Sequence, residues 1–339
     1  EKPVKLTGGE RTRQNITITP QSTELDEVVV VSNGISRLKR SAFNAVALDT
    51  KELQNSNRSL SEALAKAPGM KVRESGGVGS DMQLTLDGFS GKHVKIFIDG
   101  VPQEGVGSSF GLNNIPVNFA ERIEIYKGVV PVGFGTDAIG GVINIITKKG
   151  DGYSEENTWR VGARVQEESM GKEYDFFKDK GLHNESIDLG FNHKSGLFVN
   201  GGYTRNNHGG WQGDLTGREK RWHPKDQALM NGMFGFQNRN MNVWYRLDFL
   251  DEKIFGPNNG SELQPEKVSD KDFLTKRYTH QLQSDWKLDN RLDVHAALSY
   301  QDYKRRTRTT ESDLSTGEKW LSSAEASQDI TQYKAWIAR

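Results

Sequence analysis

The chain contains no cysteine, which excludes disulfide bonds, cysteine nucleophiles and thiolate metal sites. It also lacks an apolar run of 18 residues or more, so the sequence offers no transmembrane helix, and a soluble protein and a membrane β-barrel both stay open. Neither sign of charge is in excess, because 45 Lys and Arg balance 45 Asp and Glu. Without a positive field, the chain has no general means of recruiting nucleic acid.

Apolar residues are also scarce. They make up 34% of the 339 residues, which is low for a soluble globule of this size, whereas the 36 glycines are many. This composition is typical of β-strands that bury the side chains on only one of their two faces. The first ten residues do not read as a signal peptide, so we expect the chain to be a piece of a longer protein.

The most informative stretch is 121–149, which reads ERIEIYKGVVPVGFGTDAIGGVINIITKK. Two β-rich segments bracket a glycine-rich bend. A phosphate-binding loop is disfavoured, because no Lys-Ser/Thr pair follows the glycines and the next segment is β-branched. The wording RIEIYKG and GFGTDAIGGVINIITK closely resembles the C-terminal end of the plug domain of TonB-dependent outer-membrane receptors. The resemblance places the end of the plug at Lys149.

The residues before this stretch predict an α+β domain over 36–149. We expect a short helix start at 50–53 and a helix at 59–67 with a capping box formed by Ser59 and Glu62. Strands are predicted at Met70–Glu74, Met82–Leu86 and Val94–Ile98, and a turn at Asp99–Pro102. LSEALAKAPGMKV and VKIFIDGVP resemble plug motifs too. The family usually has Arg-Gly where this chain has Asp87-Gly88, so the role of that arginine is not carried over.

Four consecutive valines follow an acidic pair ahead of this domain. A buried strand is one interpretation; the other is a segment that stays extended so that a partner protein can add it as a strand. Its position resembles that of the TonB box, which implies binding to the periplasmic domain of TonB through Asp26, Glu27, Val28, Val29, Val30 and Val31. Residues 1–22 resemble the end of a carboxypeptidase-regulatory-like β-sandwich, and 23–35 would hold the box and a linker.

After residue 150 the pattern changes to period two, as in Trp159, Val161, Ala163 and Val165. An apolar face toward lipid and a polar face toward a lumen are typical of a transmembrane barrel. Tight turns are predicted near 193–196, 238–240 and 289–290, and long polar connections near 170–184, 206–226, 254–276 and 307–328. Counting the segments gives eight strands, the last of which ends at Arg339.

The predicted fold is therefore an antiparallel membrane β-barrel, partial in this chain, with an N-terminal α+β plug. A soluble up-and-down barrel of the lipocalin kind is the alternative, although polar loops of roughly 20 residues and a preceding plug count against it. Eight strands enclose too little space for such a plug. Residues 150–339 would then be the first eight strands of a larger barrel, and the resemblance implies about 22.

Several residues are candidates for contact with a substrate. In similar receptors, loops at two places in the plug face the exterior and touch the substrate; here they contain Ser75, Gly76, Gly77, Gly79 and Ser80, and Val106, Ser108, Ser109 and Phe110. Ordinary flexible turns are the alternative. His208 and Trp211 share a long loop, which we interpret as solvated; the alternative is contact with an iron chelate or haem. No metal-ligand spacing is present.

Charged residues suggest two further contacts. Arg122 and Glu124 lie two residues apart on one strand face, where a surface ion pair is the plain interpretation. In similar receptors the arginine of this motif meets barrel glutamates and retains the plug, which makes the pair a candidate for plug–barrel coupling. The basic run Lys304-Arg305-Arg306-Thr307-Arg308 favours surface solvation or contact with lipopolysaccharide phosphate.

No arrangement of residues supports catalysis, since the sequence has no Ser-His-Asp order, paired-carboxylate site or nucleotide loop. We predict no enzyme and no cofactor, although the substrate may itself carry iron or cobalt. The resemblance implies TonB-dependent active transport across the outer membrane of a Gram-negative bacterium, with a ferric siderophore as the expected cargo. Receptors for haem or cobalamin, and a passive surface adhesin of the same architecture, are the alternatives.

Overall fold

The computed structural model describes residues 44–49, 60–74, 82–103, 120–135, 138–149, 156–289, 292–324 and 327–338. These residues form three β-sheets and one α-helix. No helix among them has the length and apolar character needed to cross a membrane.

The N-terminal domain contains a five-stranded sheet in the order β1-β7-β8-β5-β6, in which β5 and β8 run parallel. A smaller sheet, β2-β3-β4, and helix α1 complete it. The bounds are β1 Ala45–Asp49, α1 Leu60–Ala65, β2 Met70–Glu74, β3 Met82–Leu86, β4 Phe89–Ser90, β5 Val94–Ile98, β6 Val101–Pro102, β7 Ala120–Tyr126 and β8 Gly141–Thr147.

The core of this domain lies between α1 and the paired central strands β7 and β8. Ile123 and Ile143 are fully buried and pack with Leu64 of α1, as expected for β-branched runs in central strands. The three strands predicted at β2, β3 and β5 are confirmed with the same bounds. Helix α1 lies within the predicted 59–67, but Ser59 and residues 50–53 fall outside the described residues.

Two Asp-Gly pairs make the tight turns of this domain. Asp87 and Gly88 have φ values of 47° and 91°, and Asp99 and Gly100 have 47° and 77°. Positive φ at both central residues is the requirement of a type I′ hairpin, which Asp-Gly satisfies well. The turn predicted at Asp99–Pro102 therefore consists of Asp99 and Gly100, while Val101 and Pro102 already belong to β6.

The C-terminal part forms one antiparallel sheet, in which each strand from β9 to β15 pairs with the next in sequence. Strand β17 pairs with β15, and the three-residue β16 pairs with the end of β15. The bounds are β9 Thr158–Glu168, β10 Leu182–Asn192, β11 Leu197–His208, β12 Lys225–Gln237, β13 Met241–Gly256, β14 Lys267–Lys287, β15 Asp293–Asp313, β16 Lys319–Leu321 and β17 Ile330–Ala338. Eight long strands thus appear where eight were predicted, with β16 in addition.

Two of the predicted long connections are much shorter in the structure. Strand β13 continues to Gly256 and β14 begins at Lys267, so that most of 254–276 is strand. Likewise, β15 extends to Asp313, well into the predicted loop 307–328. The prediction was wrong here because charged and polar residues predominate at 267–272 and 307–313, and polarity alone does not distinguish such a strand from a loop.

The two faces of this sheet differ in composition. The inner face packs against the N-terminal domain and buries polar side chains such as Arg246, Gln281 and Gln283. The outer face exposes large apolar side chains, among them Trp159 at 76% and Val199 at 57%. Apolar residues that face outward and polar residues that face inward reverse the soluble arrangement and match a barrel surrounded by lipid.

Candidate functional site

The β5–β6 hairpin carries the candidate site at its tip. Asp99 accepts hydrogen bonds from the backbone N of Thr147 at 3.1 Å and from its Oγ1 at 2.6 Å, and its own N donates to the Ile145 carbonyl oxygen at 2.9 Å. The neighbouring Gly100 N donates to Asn144 Oδ1 at 3.0 Å. The left-handed turn is therefore held on β8, and the Asp99 carboxylate has a fixed direction.

Arg246 of β13 meets this carboxylate from the barrel sheet. Its Nη1 is ion-paired with Asp99 and donates to Thr147 Oγ1 at 2.8 Å. On the barrel side, Nη2 donates to Gln281 Oε1 at 2.7 Å and Nε donates to Asp248 Oδ2 at 2.8 Å. The side chains of Asp99 and Arg246 are 0% and 1% exposed. The N-terminal domain and the sheet thus share a buried ion pair, which we call the Asp99–Arg246 contact.

A second strand of the barrel sheet reinforces this contact, since Gln283 of β14 donates from Nε2 to the Asp99 carbonyl oxygen. Lys149, just after β8, places Nζ 3.6 Å from Asp99 Oδ1 and 4.8 Å from the ring centre of Trp244. Trp244 is buried on the inner face with Phe198 and Met233. The Asp99 carboxylate therefore contacts two cations, Arg246 and Lys149, and the ring of Trp244 lies beside Lys149.

The charges around Asp99 determine its titration. Burial alone would raise the pKa of this carboxyl, but Lys149 and Arg246, together with the hydrogen bonds from Thr147, outweigh burial and lower the pKa below its ordinary value. Asp99 is consequently ionised at neutral pH, as the contact with Arg246 requires.

Arg122 and Glu124 lie close to this contact but within the N-terminal domain. Arg122 Nε is 2.9 Å from Glu124 Oε1, and its Nη1 is 3.2 Å from Glu121 Oε1. Glu124 also accepts a hydrogen bond from Asn144 Nδ2 at 3.2 Å, and Asn144 in turn holds Gly100. The partners of Arg122 that the structure describes lie on its own strand, so its contact with barrel glutamates stays a prediction.

His208 and Trp211 lie at the far end of β11. His208 is the last residue of β11 and is 2% exposed, and its Nδ1 accepts a hydrogen bond from Gly210 N at 2.9 Å, so this histidine is not part of the loop in which it was predicted to lie. Its ring lies against Trp222, and Trp211 and Trp222 pair through their backbones with ring centres 5.0 Å apart. The histidine is buried because the loop 209–224 closes over it as a hairpin.

The other predicted site residues fall outside the described residues. They are the TonB-box segment 26–31 and the loop residues at 75–80 and 106–110. Among the residues that the structure does describe, no group of three or more His, Asp or Glu side chains could hold a metal ion.

The N-terminal domain matches a known protein family. Residues 37–142 match the family model described as TonB-dependent Receptor Plug Domain. This domain is thus similar to the plug of TonB-dependent receptors. The N-terminal domain has the fold of a plug, and the sheet is similar to part of the barrels of these receptors, whose homologues are outer-membrane proteins of Gram-negative bacteria. The family consists of receptors and transporters rather than enzymes.

The relatives of this chain differ in the cargo that their names contain. The chain is 33% identical over 140 residues to the vitamin B12 transporter BtuB of Vibrio vulnificus, an alignment that covers 41% of this chain and 23% of BtuB. The copper transporter OprC has a TM-score of 0.55 at 13% identity, with 87% of this chain and 52% of OprC covered. A mutant of the ferric enterobactin receptor PfeA from Pseudomonas aeruginosa has a TM-score of 0.50 at 13% identity, with 81% and 48% covered. The chain thus spans about half or less of these relatives.

Sequence reasoning missed the main contact between plug and barrel. Asp99 was assigned only to a turn, and Arg246 only to a polar strand face. Trp244 is the one local signal, because an aromatic residue at an inward position of β13 interrupts the alternation and marks the place where the plug covers the wall.

Proposed function

We propose that this receptor takes up a scarce metal chelate across the outer membrane, with energy delivered by TonB from the periplasm. The observation that carries the proposal is the polar nature of the contact between plug and barrel. Two strands of the barrel hold the plug hairpin through Arg246 and Gln283, whose partners are charged or hydrogen-bonding groups.

The energetics of this contact favour a plug that can shift. The three described hydrophobic clusters each lie wholly within the plug or wholly within the barrel sheet. A hydrogen bond that is exchanged for water costs about 0.5–1.5 kcal/mol, or about 1.5–3 kcal/mol where one group is charged, whereas the separation of an apolar interface exposes its whole area. A shifted plug therefore keeps its own core, as transport requires and passive adhesion does not.

A cavity of about 50 Å³ with charged residues in its lining lies beside the contact and supports the same proposal. Arg246 lines it together with Lys148 at the end of the plug and Arg160, Asp188 and Asn200 of the wall. A space of this size and polarity can admit water. Water that enters here would replace the hydrogen bonds of the Asp99–Arg246 contact as the plug moves.

Energy coupling is assigned to Asp26–Val31. An extended segment that adds to a sheet edge binds through backbone hydrogen bonds, and the four valines strongly favour that conformation. We propose that the bound substrate favours the state in which this TonB box is accessible to the periplasmic domain of TonB. Substrate and TonB would then be coupled through the position of the plug.

A ferric siderophore is the proposed cargo, with cobalamin and haem as the alternatives. The names of the relatives contain copper, ferric enterobactin and vitamin B12, each of which is a metal or a metal complex. A metal chelate is the class that these names share. We also propose that outer-membrane lipid and lipopolysaccharide surround the barrel.

Uptake by whole cells tests this function. The full-length receptor, expressed in cells without their own receptors, should accumulate one labelled chelate from a panel of ferric siderophores, cobalamin and haem, and only when TonB is present. Deletion of residues 26–31, or Val29→Pro, which removes a strand donor, should abolish uptake without loss of surface binding. Val29→Ala keeps the donor and serves as the control. Binding without uptake in the unaltered receptor would instead establish an adhesin.

A further inference from the structure

The outer face of the barrel sheet has a charged rim above its apolar band. On each long strand, the outward side chains change from apolar or aromatic to charged toward the long connections. Phe249 is followed by Asp251 on β13, Tyr278 by Lys276 on β14 and Tyr300 by Asp302 and Lys304 on β15. The tight turns lie at the opposite end, so this rim faces the cell exterior.

The sign of the charge differs between two sectors of the rim. On β9–β12 the outward rim residues are mostly acidic: Glu167, Glu185, Arg205 and Asp226. On β13–β17 basic residues prevail: Asp251, Lys253, Asp272, Lys276, Asp302, Lys304, Arg306, Arg308 and Lys334. Solvation alone gives no reason for acidic and basic residues to lie on different strands. The excess of basic residues is therefore a specific feature of β13, β14, β15 and β17.

Cross-strand register concentrates the positive charge at one place. Lys276 and Lys304 are directly opposite each other on β14 and β15, and Arg306 is the next outward residue on β15. Like charges in opposite positions destabilise a sheet unless another charge neutralises them. Lys276 has Asp251 at 3.4 Å, but in the described part of the chain the side chains of Lys304 and Arg306 have no ion-pair or hydrogen-bond partner.

The neighbouring acidic residues are already occupied. Asp272, which is opposite Arg308, lies 3.3 Å from Lys253, and Asp302 lies 3.9 Å from Lys334. Lys304 and Arg306 are both exposed. An anion from outside the protein can therefore reach them, and it would meet three cations on one surface.

The position of these three cations along the membrane normal indicates which anion they contact. Tilted aromatic pairs lie just below them, Phe249 with Tyr278 at 4.8 Å and Tyr300 with Trp336 at 4.5 Å between ring centres. Aromatic girdles mark the interface between hydrocarbon and headgroups. Lys276 is two residues beyond Tyr278, or roughly 7 Å along the strand. The three cations thus lie at headgroup level on the exterior side.

We propose that Lys276, Lys304 and Arg306 bind a phosphate of the lipid A headgroup of lipopolysaccharide in the outer leaflet. The guanidinium of Arg306 can donate two parallel hydrogen bonds to phosphate oxygens, and the two lysines add point charges. The phosphate neutralises the Lys276–Lys304 pair and holds a lipopolysaccharide molecule against β13–β17. This inference depends on the outer-membrane location and does not depend on the proposed uptake.

Lipopolysaccharide retained by the purified full-length receptor tests the proposal. The triple variant Lys276→Ala, Lys304→Ala, Arg306→Ala is compared with Arg205→Ala, which removes a basic residue from the acidic sector of the same rim. Each receptor is extracted from outer membranes, and bound lipid A is counted by native mass spectrometry. Heat-modifiable migration on gels verifies that each barrel is folded.

The loss of one basic residue near an anionic surface weakens binding about five-fold. The triple variant should therefore retain at least about tenfold less lipid A, and Arg205→Ala as much as the unaltered receptor. In reconstitution, lipid A without phosphates should bind the unaltered receptor as weakly as intact lipid A binds the triple variant. Equal retention by all three receptors, or equal binding of phosphorylated and dephosphorylated lipid A, would overturn the proposal.

Discussion

Asp99 and Arg246 are 147 residues apart in sequence and form a buried ion pair between the plug and the barrel wall. Each partner has a second ionic contact on its own side: Arg246 has Asp248, and Asp99 has Lys149. If the plug moves away, neither charge is left alone. Separation then avoids most of the several kcal/mol that an isolated buried ion would cost, so the contact can hold the plug and still be released.

Replacement of Arg246 should loosen the plug. Arg246→Met removes a cation from both Asp99 and Asp248 and a hydrogen-bond donor from Thr147, and the loss of one partner of a buried pair costs about 3–5 kcal/mol. Urea unfolding of the full-length receptor, followed by a probe on the plug, should show a lower midpoint. Arg205→Met is the matched control, because Arg205 pairs with Asp226 on the exposed outer face. It should change stability by less than about 1 kcal/mol; equal effects of both variants would refute a special role for Arg246.

Acid should weaken the same contact. The pKa of Asp99 is lower in the folded receptor than its ordinary value, so its stabilising effect is complete above the unfolded-state pKa near 4 and is lost as pH falls through the folded-state pKa. We expect protease access to the plug to rise below about pH 4. In Asp99→Asn the plug should be loose already at neutral pH, and the part of the pH dependence that belongs to Asp99 should disappear. An unchanged pH profile in Asp99→Asn would contradict this assignment.

The Asp99-Gly100 turn should depend on glycine. At Gly100 φ is +77°, and an added Cβ would meet no atom within 4 Å, so Gly100→Ala tests backbone strain alone. A left-handed residue with a Cβ costs about 1–2 kcal/mol. Gly232 on β12 has equally open space and no positive φ, so Gly232→Ala should be neutral or slightly stabilising. The melting temperatures of both variants are measured by thermal unfolding, and Gly100→Ala should have the lower value. Equal melting temperatures would mean that the Asp99-Gly100 turn is not held in this conformation.

The parts of the fold that depend on local residue patterns were predicted from the sequence. The strands at Met70–Glu74 and Val94–Ile98 and the eight long barrel strands follow from β-branched runs and period-two alternation. The ends of β14 and β15 did not follow, because the charged and polar residues that predominate there resemble a loop. The Asp99–Arg246 contact could not be predicted at all, since the register between plug and wall depends on how two separately folded parts meet, and neither residue carries a local signal of its partner.

The most direct test of this account is to fix the plug hairpin to the wall. The chain has no cysteine, so Gly100→Cys and Gln283→Cys can be joined selectively by a short, reducible bifunctional thiol reagent, with each single-cysteine variant as the control. Uptake of the chelate should stop when the two are joined and recover after reduction, while the single variants continue to transport. Undiminished uptake by a fully joined receptor would show that the plug hairpin does not need to leave β13 and β14, and would contradict the account.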